Sequence, residues 1–118
     1  MRKLVFDQFE FDSFSSEECL EIHVASKKMS PLVEFHSLRE FVAASAGADA
    51  SEKLGSVSPF NEFAGFSPVR DYLKRFANII VPEPCKWPTF ILIEYDLEWD
   101  GVFDTPDEFI RYHWSSTA

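Results

Sequence analysis

Residues 91–104 read ILIEYDLEWDGVFD. Taken two at a time they sort into an apolar set, Ile91, Ile93, Tyr95, Leu97 and Trp99, and an acidic set, Glu94, Asp96, Glu98 and Asp100. A period of two marks a strand that buries one face. The segment from Thr89 to Asp100 is therefore expected as one strand, with the apolar set in the core and the carboxylates in a row on the opposite face. Neighbours on such a row stand about 6.7 Å apart. No Lys or Arg lies among them, so like charges repel with nothing in the strand to compensate. Water, a metal ion or a cationic partner must meet them.

The flanking chain supplies the other elements. Leu4–Phe11 is Phe-rich and reads as a strand or short hairpin, with a change of apolar parity at Asp7–Gln8 that implies a turn or bulge. In CLEIHVAS, residues 19–26, Leu20, Ile22 and Val24 alternate with Glu21 and His23, which favours a strand over a helix begun at Ser15 with Glu18 as its capping partner. LVEFH, residues 32–36, fits a short strand. Ser37 and Glu40 form a capping-box pattern, Leu38, Phe41, Val42 and Ser45 share one helical face, and Gly47 stops that helix. Residues 47–66 are rich in Gly, Ser and Pro and read as a long irregular, mobile segment, pinned at its end by Phe60, Phe63 and Phe66. Ser67-Pro68 opens a helix with Val69, Tyr72, Leu73, Phe76 and Ile80 as its stripe. Three prolines make Val81–Pro88 a connection. Thr105-Pro106-Asp107-Glu108 fits a helix start, with Phe109, Ile110 and Trp114 docking that last helix. The expected fold is α+β: a small antiparallel or mixed sheet with about three helices packed mainly on one face, in a single domain over residues 1–118.

The totals narrow the function. The chain of 118 residues carries 20 acids against 11 Lys plus Arg, a formal charge of −9, with 46% apolar residues and 13 Phe. That supports a packed core and argues against broad contact with nucleic acid or an anionic membrane. The acids are segregated. Glu94, Asp96, Glu98, Asp100, Asp104, Asp107 and Glu108 fall between Trp87 and Ile110, and Asp7, Glu10, Asp12, Glu17, Glu18 and Glu21 between Leu4 and Ser26, with no Lys or Arg in either block. Cys19 and Cys85 stand alone, without zinc-ligand spacing. The opening MRKLVFDQFEFDS has no apolar leader core, and no apolar run approaches a membrane span. A cytoplasmic protein with reduced thiols is the expectation.

Three roles compete for the acidic stretch. It can be a solvated face that deters aggregation. It can be a calcium loop: from Asp96 to Asp107, acids fall at loop positions 1, 3, 5, 9 and 12, with Gly101 at 6 and Phe103 at 8. Asp107 stands where a Glu is expected, Pro106 stiffens the exit, and the entering segment is strand-like, all of which weigh against calcium. It can also be a surface for a cationic protein, formed by Glu94, Asp96, Glu98, Asp100 and Asp104 and extended by Glu21. Alternate residues on a strand keep step with every second phosphate of a nucleic-acid strand, so such a row could occupy the basic groove of a nuclease. Trp99 and Tyr95 are nearby anchors, although their parity also suits the core. His23, His36 and His113 belong to no recognisable catalytic constellation, and no phosphate loop or nucleophile motif is present, so neither an enzyme nor a cofactor is expected.

In size, acidity, Phe/Trp content and the ending EWDGVFDTPDEFIRYHW, residues 98–114, the whole chain resembles bacterial immunity proteins that neutralise polymorphic toxins, such as those of contact-dependent growth inhibition. The resemblance implies a cytoplasmic α+β protein that binds and blocks a cognate toxin domain, often a nuclease. A small acidic phage-type inhibitor, of the anti-restriction or anti-CRISPR kind, is the alternative.

Overall fold

The computed structural model describes residues 1–7, 18–27, 34–56 and 67–116. Five strands form one sheet: β1 (Arg2–Phe6), β2 (Glu18–Ser26), β3 (Thr89–Tyr95), β4 (Glu98–Asp104) and β5 (Glu108–Ser116). Their order is β1-β2-β5-β4-β3, and every neighbouring pair is antiparallel. Three helices accompany them among the described residues: α1 (Leu38–Ala46), α2 (Ala48–Leu54) and α3 (Ser67–Ala77). The α+β class and the antiparallel sheet are thus as expected from the sequence. The helices divide between the faces, α1 and α2 on one and α3 on the other, so the sheet is the middle of three layers.

The face under α3 is apolar from end to end. Leu20, Ile22 and Val24 of β2, Ile110 and Tyr112 of β5, and Phe103 of β4 pack against Val69 and Leu73. Leu4 and Phe6 of β1 join them, with the Phe6 and Phe76 ring centroids 4.4 Å apart. The face under α1 and α2 is apolar over part of its length only. There Ala25, Val102, Phe109 and Leu92 meet Phe41 and Val42.

Local chemistry explains the helix ends. Ser37 Oγ accepts the Glu40 N–H at 3.2 Å, and the Glu40 carboxylate accepts the His36 N–H at 2.6 Å, closing the expected cap one residue upstream of its usual partner. Gly47, at φ 99° and ψ 168°, ends α1 and begins α2 at once. Asn78 ends α3 at φ 55°. Its N–H reaches the Lys74 carbonyl and that of Ile79 reaches Leu73, an ending of the αL type in which Asn takes the left-handed position usual for Gly.

The structure departs from expectation in several places. Residues 47–66 are not irregular throughout, because Ala48–Leu54 is helical. Its Ala, Glu, Lys and Leu are good helix formers, and Leu54 and Ala50 pack on the core. Residues 57–66, with Phe60, Phe63 and Phe66, lie outside the described residues, as do Gln8–Phe11. Glu34–His36 is not strand. Ile80 lies past the end of α3 and is 74% exposed. The last element is strand β5, not a helix. Thr105 organises its turn: Oγ1 accepts the N–H groups of Asp107 (3.3 Å) and Glu108 (2.9 Å). A helix cap would begin with the same bonds. The residues after the turn decide for a strand, since Ile110, Tyr112 and Trp114 alternate with Phe109, Arg111 and His113, and aromatic and β-branched residues favour a pleated surface.

Gly47→Ala should destabilise the fold by about 1–3 kcal/mol, because that φ/ψ region is open to little but Gly, although a Cβ there would touch nothing within 4 Å. Gly55→Ala, at φ −66°, should be neutral or mildly stabilising. Urea denaturation of the two variants beside the parent checks the contrast.

Candidate interaction site: the acidic end of the sheet

The stretch that promised one long strand is a hairpin. β3 ends at Tyr95, Asp96 and Leu97 make the turn, and β4 starts at Glu98. A bulge interrupts the alternation as well. Ile91 pairs with Gly101 but Ile93 with Asp100, which leaves Leu92 extra. Ile91 and Trp99 therefore face α3, whereas Ile93 joins the α1–α2 side. The apolar set does not share one face, and neither does the acidic set.

The expected site residues fall in four places. Glu94, opposite Trp99, is exposed on the edge strand. Asp96 is exposed in the turn and Glu98 is half-buried at the start of β4. Glu21 lies one row further in on β2, with its carboxylate 4.0 Å from the Lys3 ammonium. Asp104 sits at the far end of β4, about 20 Å from Glu98 at strand rise, and pairs with Lys27. Asp100 is buried at 3% exposure.

Asp100 belongs to a polar strip on the α1–α2 side. Arg111 Nε donates to its Oδ1 at 3.0 Å and Nη2 to its Oδ2 at 2.8 Å, a two-point ion pair. Arg111 Nη1 donates to the Ser45 carbonyl at 2.7 Å, so the same guanidinium holds the last turn of α1. Its Nη2 lies 3.3 Å from His113 Nδ1. A guanidinium can only donate, so Nδ1 accepts and the ring proton sits on Nε2, which donates to Glu98 at 2.7 Å. His23 lies across from Arg111 in the β2–β5 register, buried, with Nδ1 unpartnered. Burial, and then the Arg111 charge, hold its pKa below the ordinary value. Both ring nitrogens of His113 are engaged, so this strip is an internal network rather than a base open to substrate.

The sheet register assembles a different acidic cluster. Asp7 follows β1, Glu18 starts β2 opposite Ser116, Glu98 faces Ser115, Tyr95 faces Glu98, and Glu94 faces Trp99. Asp7, Glu18, Glu94, Asp96 and Glu98 therefore line one end of the sheet, from the β1 edge to the β3 edge, and none of the strand residues in those rows is Lys or Arg. Of these, Asp7 and Glu18 come from the N-terminal acidic block. The other three come from the C-terminal block, so folding joins two clusters that lie far apart in sequence.

Beside this end, on the α3 side, opens a cleft of about 280 Å³ lined by Tyr72, Trp99, Tyr112, Trp114, Val69 and Asp96. Trp99 and Trp114 are directly opposed across β4 and β5. The Trp114 indole N–H is buried without an acceptor. Burial, and the nearby Glu18 carboxylate among other groups, raise the pKa of both Tyr72 and Tyr112. Sequence reasoning missed Tyr72 and Glu18 here, since only tertiary folding brings α3 and β2 to the same rim.

The calcium-loop pattern dissolves in this geometry. From Glu98 to Asp104 the chain is extended, Asp100 is committed to Arg111 and Asp104 to Lys27. The oxygens cannot converge as they do in a looped EF-hand. No protein-family model matches the chain, and neither does any curated protein or solved structure.

Asp100→Ala should cost about 3–5 kcal/mol by leaving Arg111 buried and unpaired, whereas Asp96→Ser and Glu94→Ser should stay within about 0.5 kcal/mol. Chemical denaturation distinguishes them. His23 makes stability depend on pH as well. It is more easily protonated unfolded than folded, so its contribution is intact above the ordinary pKa of 6.5 and is lost as pH falls below it. His23→Gln should flatten the stability profile between pH 6.5 and 5 relative to the parent. Parallel profiles would show that His23 carries none of it.

Proposed function

We propose that this chain is an immunity-type binding protein that engages and neutralises a basic toxin domain through the acidic end of its sheet. The observation that carries the reading is the placement of Asp7, Glu18, Glu94, Asp96 and Glu98 along one end of the sheet, beside an aromatic cleft. Three of these carboxylates are exposed and two half-buried. They stand on strand ends and a two-residue turn, so little is lost in ordering them on binding. Like charges gathered this way lower the stability of the free protein and raise the rate of encounter with a cation-rich surface.

The row that would have matched every second phosphate does not support the nuclease assignment, because Glu94, Asp96 and Glu98 turn a corner and Asp100 is internal. A nuclease-type toxin is proposed instead from the charge, since a domain that binds nucleic acid presents a basic groove. Asp100, Asp104 and Glu21 have partners within the chain, as Glu98 has in His113, and the proposed surface does not depend on the first three. Cys19 and Cys85 are free thiols, which suits action in the cytoplasm. No helix among the described residues is long and apolar enough to cross a membrane.

The test is co-purification with the product of the adjacent gene, followed by binding kinetics at two salt concentrations. The triple variant Glu18→Ser, Glu94→Ser, Asp96→Ser should associate about tenfold more slowly at low salt and show a flatter salt dependence, with its melting temperature unchanged or slightly raised. Unchanged rates at both salts would return these acids to a solvated face.

A further inference from the structure

We propose that the cleft between α3 and the sheet is the seat for one projecting arginine side chain of the basic partner. The inference rests on the partner reading above and assigns that site its anchor. Tyr72, Trp99, Tyr112 and Trp114 surround the space and Asp96 stands at its rim. Aromatic faces attract a cation through their quadrupole, and a guanidinium stacks on them better than an ammonium because it is planar and weakly hydrated. The carboxylate at the mouth can then accept from the guanidinium fork. An apolar ligand would satisfy the rings but leave Asp96 unused. An anion would face Asp96 directly and Glu18 nearby.

The charges around the cleft favour this occupant. Glu18 lies close enough to affect both cleft tyrosines, while at Tyr72 the Arg75 charge opposes it and Asp71 adds to it. Two of the α3 cations have partners of their own. Arg70 pairs with Glu83 at 3.2 Å, and Arg75 lies over the Phe76 ring, 4.8 Å from its centroid. The volume, about 280 Å³, accommodates one long side chain and no larger element of a protein. A single anchor in an aromatic pocket with a charged rim is the usual form of a binding hot spot.

The experiment uses the full chain and N-acetyl-arginine amide as probe, read by the indole N–H resonances of Trp87, Trp99 and Trp114 in two-dimensional NMR. The probe should shift the Trp99 and Trp114 signals saturably in the millimolar range at low salt and leave Trp87 still. N-acetyl-citrulline amide, which has the same shape without the charge, should not do so. Asp96→Asn, in an exposed turn, should keep the parent spectrum and weaken the probe about three- to fivefold. Equal shifts with citrulline, no saturable shift, or an Asp96→Asn variant that binds as well as the parent would each overturn the proposal. The two proposals fail separately. Salt-dependent binding of the adjacent gene's product with no response to the arginine probe sinks only the seat. An arginine response without partner binding supports the seat and sinks the partner reading.

Discussion

Arg111 is the buried cation around which the described part of this fold is organised. Removing a guanidinium and a carboxylate from water costs several kcal/mol for each, and only good geometry and full hydrogen bonding restore it. Here both conditions are met. Asp100 takes two of its N–H groups and the Ser45 carbonyl takes a third. These partners come from β4 and from the end of α1, while Arg111 itself is on β5. Slipping β4 against β5 by one residue would move Asp100 to the other face and strand both charges. The same guanidinium would lose its register partner and its grip on α1 together. An apolar pair could be as stable, but it would specify one register less sharply.

That ion pair also divides the α1–α2 face of the sheet. On one side of it Ala25, Val102 and Phe109 make a dry contact with Phe41 and Val42. On the other side His113, Glu98 and Glu21 carry the surface toward the acidic end. The polar strip is thus the boundary between core and exposed sheet. Its buried charges are tolerated because each has a partner, while burial and the Arg111 charge favour the neutral ring of His23 beside them, whose Nδ1 has none.

The elements legible in the sequence were those whose signals are local. Ser37 with Glu40 capped α1, Ser67-Pro68 opened α3, and the alternation of Leu20, Ile22 and Val24 marked β2. The errors came where one local pattern serves two structures. Thr105-Pro106-Asp107-Glu108 can start a helix or turn a hairpin, and the choice rests on a period of two in Ile110, Tyr112 and Trp114 that the helical reading passed over. In residues 91–104 a two-residue turn without Gly or Pro, and a bulge whose extra residue is Leu92, break the alternation. Asp100 was indistinguishable from its acidic neighbours by sequence, since its partner Arg111 lies eleven residues on and meets it only across a strand pair.

The hairpin in that stretch changes what kind of surface the acids can form. A straight row would be flat and would repeat at the spacing of a pleated strand. Instead, the carboxylates crowd a turn and the ends of its neighbours, a projecting edge with charge on several sides. A projecting acidic edge fits a groove, and the aromatic cleft behind it fits a side chain reaching back from the groove wall. Coulomb attraction brings such partners together over about a Debye length, some 8 Å at physiological salt. It selects poorly among basic proteins, because any of them satisfies it. Selection then falls to the short-range shape of the cleft, where Tyr72 from α3 meets Trp99 and Trp114 from the sheet. The acids would set how fast a partner arrives, and the aromatic residues behind them which partner stays.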